Sequence, residues 1–240
     1  MGDVSEDRRD KYRPRWESKD FRGVGIWQVR RRLAAAMRTV IERLTTSDAP
    51  EAELSEAARR LEEYGEHLAG HPRRDRYEGF GETAVAAPEQ QAGGGHFDYS
   101  PWIGLSNPLA PPITMESRDE RVFATVTFGS AYEGAPGCVH GGCVAAAFDE
   151  ILGYAQTFSG QPGMTGTLTT IYRSPTPIHT PLRFEAWTEN VEGRKVTCQG
   201  TLYAGDRLCA EASAIFITLR PGSYEKLVRE RASRVQRDES

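Results

Sequence analysis

The chain reads as an α+β protein in which an antiparallel sheet wraps around one helix, with a helical extension in front. Three observations predict this. An apolar helix pattern covers Val139–Tyr154, with Val144, Ala147, Phe148, Ile151, Leu152 and Ala155 recurring at spacings of three and four. Four segments rich in Thr, Val, Ile, Phe and Tyr follow it, separated by short turns. Two amphipathic stripes at helical spacing precede it in the first third of the chain. A long apolar helix followed by a meander buries both partners when the sheet closes over the helix.

Residues 1–20 are highly charged and lack an apolar run, which suits an extended or loosely ordered arm. Residues 21–92 read as a helical hairpin. Ile26, Val29, Leu33, Met37, Val40, Ile41 and Leu44 form its first stripe, and Leu54, Ala57, Ala58, Leu61, Tyr64 and Leu68 its second. Between them Asp48 is placed to cap the second helix, with Pro50 in its first turn. Such stripes need each other or the following domain as cover. The glycine-rich Ala92-Gly-Gly-Gly95 then links to a domain at 93–220. Arg121–Phe128 alternates apolar and polar residues as a half-buried strand does. After the helix, strands are expected at Leu168–Arg173, Leu182–Glu192, Lys195–Ala204 and Leu208–Leu219, with turns at Val191–Arg194 and Ala204–Asp206. Residues 221–240 form a charged tail that could hold a short helix.

Composition narrows the function classes. A net charge of −4 over 240 residues gives no electrostatic footprint for nucleic acid, and the arginine runs Arg30–Arg32 and Arg73-Arg74 are interleaved with acidic residues. No apolar stretch is long enough to span a membrane, and the acidic start is not a targeting segment, so a cytoplasmic location is expected. The four cysteines do not make a zinc pattern: Cys138 and Cys143 flank His140, but Cys198 and Cys209 fall on separate strands. No metal or cofactor is expected.

The chemistry-bearing segment is Gly137-Cys-Val-His140-Gly141-Gly142, followed by Asp149 and then Met164-Thr165 at the entrance to the next strand. Amides in the first turn of a helix have no intrahelical acceptor and lie at the positive end of its dipole, so they can receive a developing oxyanion. Glycine at 141 and 142 removes the Cβ that would obstruct a carbonyl. Asp149 projects close to Gly142, Ala145, Ala146 and Gly153, a face of small residues, whereas Glu150 reads as a solvated position. Eight residues of helix separate Gly141 from Asp149, about 12 Å at the standard rise. One carbonyl cannot touch both in one chain. If both act on one substrate, Asp149 comes from a second copy across a two-fold axis, which makes the protein a dimer.

Glu133-Gly-Ala-Pro-Gly-Cys-Val-His-Gly-Gly-Cys-Val-Ala-Ala-Ala-Phe-Asp149 resembles the helix motif of hotdog-fold acyl-CoA thioesterases of the PaaI type, above all the carboxyl-terminal-modulator branch. The likeness runs through Gly163–Pro177, Val191–Lys195 and Glu211–Thr218, with Asn107–Pro112 upstream. It implies a hotdog fold and hydrolysis of acyl-CoA to free acid and CoA, within fatty acid metabolism. It assigns the polarising amide to Gly141, an open entrance to Gly142, loop shaping to His140, the carboxylate to Asp149 and its support to Thr165. Asp149 would activate water or attack the carbonyl to form a mixed anhydride. Arg173, Arg194 and Lys195 are candidates for the CoA phosphates. One departure is Gly134, where some relatives carry Asn or Gln. The resemblance also implies a homodimer, with pairing into tetramers open.

Two other functions fit the scaffold. An enoyl-thioester hydratase would need an Asp–His pair that the helix lacks. A non-catalytic acyl-CoA sensor would be expected to lack the carboxylate, and Asp149 and Thr165 are both present. Cys143 beside Gly142 is a possible thiol nucleophile by position, without a neighbouring base.

Overall fold

A computed structural model describes residues 25–72, 96–161 and 163–220, together with Ser223, Lys226, Arg229, Glu230 and Ser233. The arm expected at 1–20, the glycine link at 92–95 and most of the 221–240 tail lie outside the described residues.

Two N-terminal helices come first, α1 (Ile26–Thr46) and α2 (Glu51–Ala69). Then follow β1 (Thr114–Arg118), β2 (Arg121–Val126), α3 (Gly141–Ala155), β3 (Gly163–Tyr172), β4 (Leu182–Glu192), β5 (Lys195–Ala204) and β6 (Arg207–Thr218). The strands form one antiparallel sheet in the order β1-β2-β4-β5-β6-β3, so β3 is an edge strand paired only with β6. The sheet packs on α3, which makes the predicted α+β arrangement the observed one.

Small residues let helix and sheet approach. A Cβ on Gly200 would meet Leu152 and Phe148 at 3.3 Å and the Glu185 carbonyl at 3.1 Å. Ala186, Ala210, Ala212 and Ala214 are buried on the sheet, and Phe148 packs edge-on against Phe184 with ring centroids 5.1 Å apart. Val144, Ala147, Phe148, Ile151 and Leu152 are buried on α3, as their spacing predicts. The helix itself begins at Gly141 rather than Val139. Val139 is apolar because it is buried in the preceding turn, where its amide bonds the Thr176 carbonyl at 2.8 Å.

Strand β1 has no clear signature in the sequence. Met115 is its one buried residue, and the β1–β2 turn uses Asp119 and Glu120 at φ 50° and 60° instead of glycine. The later turns are legible because Gly193 and Gly205 take the left-handed positions, at φ 58° and 60°.

The N-terminal helices depart from the expected packing. Ile26, Val29, Leu33, Met37, Val40 and Leu44 stay exposed, and α1 docks through a different face. Trp27 and Ala34 are buried there. Arg31 makes a forked ion pair with Asp98, at 3.1 and 3.0 Å from Nε and 2.9 Å from Nη2. Arg38 donates to the carbonyls of Leu105 and Asn107, and Glu42 accepts the Ser130 amide. Helix α2 has no buried residue at all. Asp48 does not cap it: the cap position is Pro50, with no side-chain bond, and Ser47 Oγ accepts the Ala49 amide instead.

The Asp98 carboxylate is 2 % exposed and also accepts from Ser106 Oγ. Removing it takes the forked carboxylate partner from a guanidinium that is 13 % exposed. Asp98→Ala is expected to lose about 3 kcal/mol in urea unfolding, and an unchanged midpoint would show that the pair does not hold α1 to the domain.

Candidate active site

The turn before α3 is built by short-range bonds and pinned from outside. The Gly134 amide bonds the Cys138 carbonyl and the Cys138 amide bonds that of Ala135, both at 2.8 Å. Gly137 takes φ 72°, a conformation open to glycine. The segment between β3 and β4 fixes this turn, through Val139 N–H to Thr176 and Ile178 N–H to Gly137. Gly134 has a steric reason here: a Cβ would lie 2.8 Å from His140 Cα and 3.2 Å from its ring.

His140 caps α3. Its Nδ1 accepts the Gly142 amide at 3.0 Å, which requires an unprotonated Nδ1. Its own amide bonds the Tyr132 carbonyl at 2.8 Å. The Gly141 amide is left: among the described residues it donates to no acceptor, while the Gly141 carbonyl accepts from Tyr172 Oη at 2.7 Å. Tyr172 therefore orients the first peptide of the helix. A Cβ at Gly141 would sit 3.2 Å from that hydroxyl, and one at Gly142 3.1 Å from His140 Nδ1.

Asp149 lies two turns further on, exposed, with its Oδ1 accepting from Thr165 Oγ1 at 2.7 Å in the same chain. A bulge makes that bond possible. Leu168, Thr170 and Tyr172 share the helix-facing side of β3, so strict alternation would turn Thr165 away from α3. The register shift between Thr165 and Thr167, at Gly166, restores it to the helix side. Neither this bulge nor the Tyr172 contact was signalled by sequence spacing, since both depend on how β3 lies against α3.

Glu150 is a correction. It is half-buried rather than solvated, while its neighbour Asp149 is the exposed carboxylate. Burial pushes the Glu150 carboxyl up to about 7, with a hydrogen bond to Ser100 opposing and the Asp149 charge assisting. Cys143 is also pushed upward by burial, the reverse of what an activated thiolate needs.

The expected phosphate-binding residues do not form one cluster within the chain. Arg173 pairs with Glu211, beside Cys209, and Arg194 donates to the Thr218 carbonyl at 3.0 and 2.9 Å. Glu211 and Thr218 are seven residues apart on β6, roughly 23 Å at strand rise. Lys195 adjoins Arg194 and is exposed. Among the described residues no group of His, Cys, Asp and Glu side chains could hold a metal ion, the four cysteines are unpaired, and no helix is long and apolar enough to cross a membrane.

The thioesterase superfamily model matches residues 136–211, from the His140 turn through α3 and into β6. A crystal structure of a thioesterase superfamily protein is 32% identical, covers 82% of this chain and 96% of its own, and superposes with a TM-score of 0.68. The chain belongs to the thioesterase superfamily. Within that superfamily it is similar to acyl-coenzyme A thioesterase THEM4 of Xenopus laevis, 37% identical over 95 residues, which are 39% of this chain and 43% of that protein. The Mus musculus THEM4 is 31% identical over 105 residues, 43% of this chain and 45% of the other. The chain spans about half the length of the curated relatives it matches.

Glu150 generates a pH dependence of known sign. Its folded value of about 7 lies above the ordinary 4.5, so the folded state retains a proton that the unfolded chain releases between these values. Stability from this group is therefore full below pH 4.5, falls as pH rises toward 7, and is flat above. Glu150→Gln should remove that fall, gaining on the order of 2–3 kcal/mol on wild type between pH 4.5 and pH 8 in denaturant titrations. A difference independent of pH would contradict the assignment.

Proposed function

We propose that the protein hydrolyses acyl-CoA thioesters at two equivalent sites, each shared between two copies of the chain. The observation that carries this reading is the pairing of an unpartnered Gly141 amide at a helix N-terminus with an exposed Asp149 carboxylate held by Thr165. The first suits a developing oxyanion, and the second suits activation of water. The acyl-CoA class is supported by the activity in the name of the THEM4 relatives.

The fold suggests how the copies meet. Helix α3 runs antiparallel to β3, with Gly141 bonded to Tyr172 at one end and Asp149 to Thr165 at the other. Strand β3 is ten residues long, carries no charge, and has a free edge. An uncharged edge of that length invites pairing. Antiparallel pairing of two β3 edges, with Thr165 opposite Tyr172 of the second copy, carries each Asp149 toward the other copy's Gly141. The face of Gly142, Ala145, Ala146, Asp149 and Gly153, exposed at Gly142 and Asp149 and half-buried between and beyond them, then faces the same seam.

In this arrangement the thioester oxygen receives the Gly141 N–H. The Asp149 oxygen left free by Thr165 takes a proton from water as the water oxygen attacks the carbonyl carbon. The tetrahedral intermediate expels the CoA thiolate, breaking the C–S bond, and the proton held by Asp149 passes to the sulfur. Acid and free CoA are the products. The Gly141 donor is worth on the order of 3 kcal/mol in the transition state. Arg173, Arg194 and Lys195 are proposed to reach the CoA phosphates from the rim, with Arg173 exchanging Glu211 for phosphate.

Thiol release from saturated acyl-CoAs of short to long chain tests the reading. Wild type should turn over, and Asp149→Ala should lose at least a hundredfold in kcat while its size on a column is unchanged. Binding of acyl-CoA without thiol release would instead establish a sensor, and turnover equal in wild type and variant would remove Asp149 from the chemistry.

A further inference from the structure

Helices α1 and α2 each present an apolar face that nothing among the described residues covers. On α1 the face comprises Ile26, Val29, Leu33, Met37, Val40 and Leu44, with Val29 61% exposed; on α2 it comprises Leu54, Leu61, Tyr64 and Leu68, with Leu61 52% exposed. The two faces belong to adjacent helices, yet they do not close on each other. Ser47 leaves α1 in an extended conformation, ψ 139°, and Pro50 enters α2 at ψ 148°.

Their charges are opposite. Helix α1 carries five arginines against one glutamate, and α2 six glutamates against two arginines. On α1, Arg31 and Arg38 are committed to the docking face and Arg30 stacks over Trp27, which leaves Arg32 and Arg43 flanking the apolar stripe. On α2, Arg59 and Arg60 are paired with Glu56 and Glu63, which leaves four of the six glutamates, Glu51, Glu53, Glu62 and Glu66, outside those pairs. Each helix therefore offers an apolar seam with a charged margin, and the two margins are complementary.

We infer that the occupant of these faces is a second copy of this chain, with α1 of each copy packed on α2 of the other. Within one copy both faces stay exposed. Two copies related by a two-fold axis satisfy both seams at once, because the contact of the first α1 with the second α2 is repeated in reverse. Helices of this length present faces about 28 Å long and about 10 Å wide. The reciprocal exchange covers four of them, on the order of 1,000 Å², the area a specific interface needs. This surface is separate from the β3 edge and does not rest on the catalytic reading. The ion pair of Arg31 with Asp98 anchors α1 to its own domain, so an exchanged α2 also ties the second copy to that domain.

The test is a disulfide between the midpoints of the two helices, where either helix orientation brings the partners close. Met37→Cys/Leu61→Cys in the full chain, oxidised at low concentration, is expected to run as a covalent dimer on a non-reducing gel. Single variants and wild type, which carry the native cysteines, should not. Reversal of charge gives a second readout: Arg32→Glu/Arg43→Glu should weaken crosslinking at least fivefold, and adding Glu53→Arg/Glu62→Arg should restore it. An internally crosslinked monomer would show the helices of one chain closing on each other and overturn the proposal. Absence of any bond beyond the controls would overturn it as well, whatever the thiol-release assay gives.

Discussion

The lay of helix α3 against strand β3 fixes the geometry on which the site depends. Two hydrogen bonds define it, Tyr172 Oη to the Gly141 carbonyl and Thr165 Oγ1 to Asp149 Oδ1, each 2.7 Å long. One joins the helix N-terminus to the end of the strand and the other joins mid-helix to the start of the strand, so the elements run antiparallel. The same arrangement that orients the polarising amide therefore places the carboxylate about 12 Å away, at the helical rise per residue. Within one chain the two groups are well made and mutually out of reach. The uncharged β3 edge beside them, unpaired among the described residues, is where we propose that a second copy joins.

Glycine distribution follows from that lay. Gly134 leaves room for the His140 ring, Gly141 for the Tyr172 hydroxyl, and Gly200 for Phe148 and Leu152 where α3 crosses the sheet. Gly166 takes the extra residue of a bulge, which turns Thr165 toward the helix. Of these positions only Gly141 is also a proposed binding group, through its amide, and the others set the distance or direction of a neighbouring side chain. The N-terminal helices add a different constraint, since α1 is anchored through polar contacts while its apolar stripe remains available.

Much of the fold was legible because its signals are local. The three-and-four spacing through Val144–Leu152 reports one buried helix face, and Gly193 and Gly205 mark turns that need positive φ. The candidate site was legible through Gly141, Gly142 and Asp149, where helix position marks an open amide and a carboxylate and the family resemblance names the chemistry. What escaped depends on packing. Strand β1 buries only Met115, too little for alternation to show. Apolar stripes on α1 and α2 are visible in the sequence, but periodicity cannot say whether they face the domain, each other or another copy. Glu150 and Asp149 look alike as neighbours on a helix. Only the surrounding structure separates a half-buried carboxyl raised to about 7 from an exposed one bonded to Thr165.

The central claim is that each site takes its amide from one chain and its carboxylate from another. Complementation tests it most directly. Gly141→Pro removes the donor at a helix position that tolerates proline, and His140 at ψ 132° already has the backbone that precedes one. Unfolding and refolding Gly141→Pro together with Asp149→Ala allows mixed dimers to form. The account predicts that each variant alone is inactive and that the mixture recovers about a quarter of wild-type thiol release, because half the dimers are mixed and each mixed dimer holds one complete site. Both variants inactive alone and still inactive after mixing, with mixed dimers demonstrated by differential tags, would contradict it and place both groups of each site in one chain.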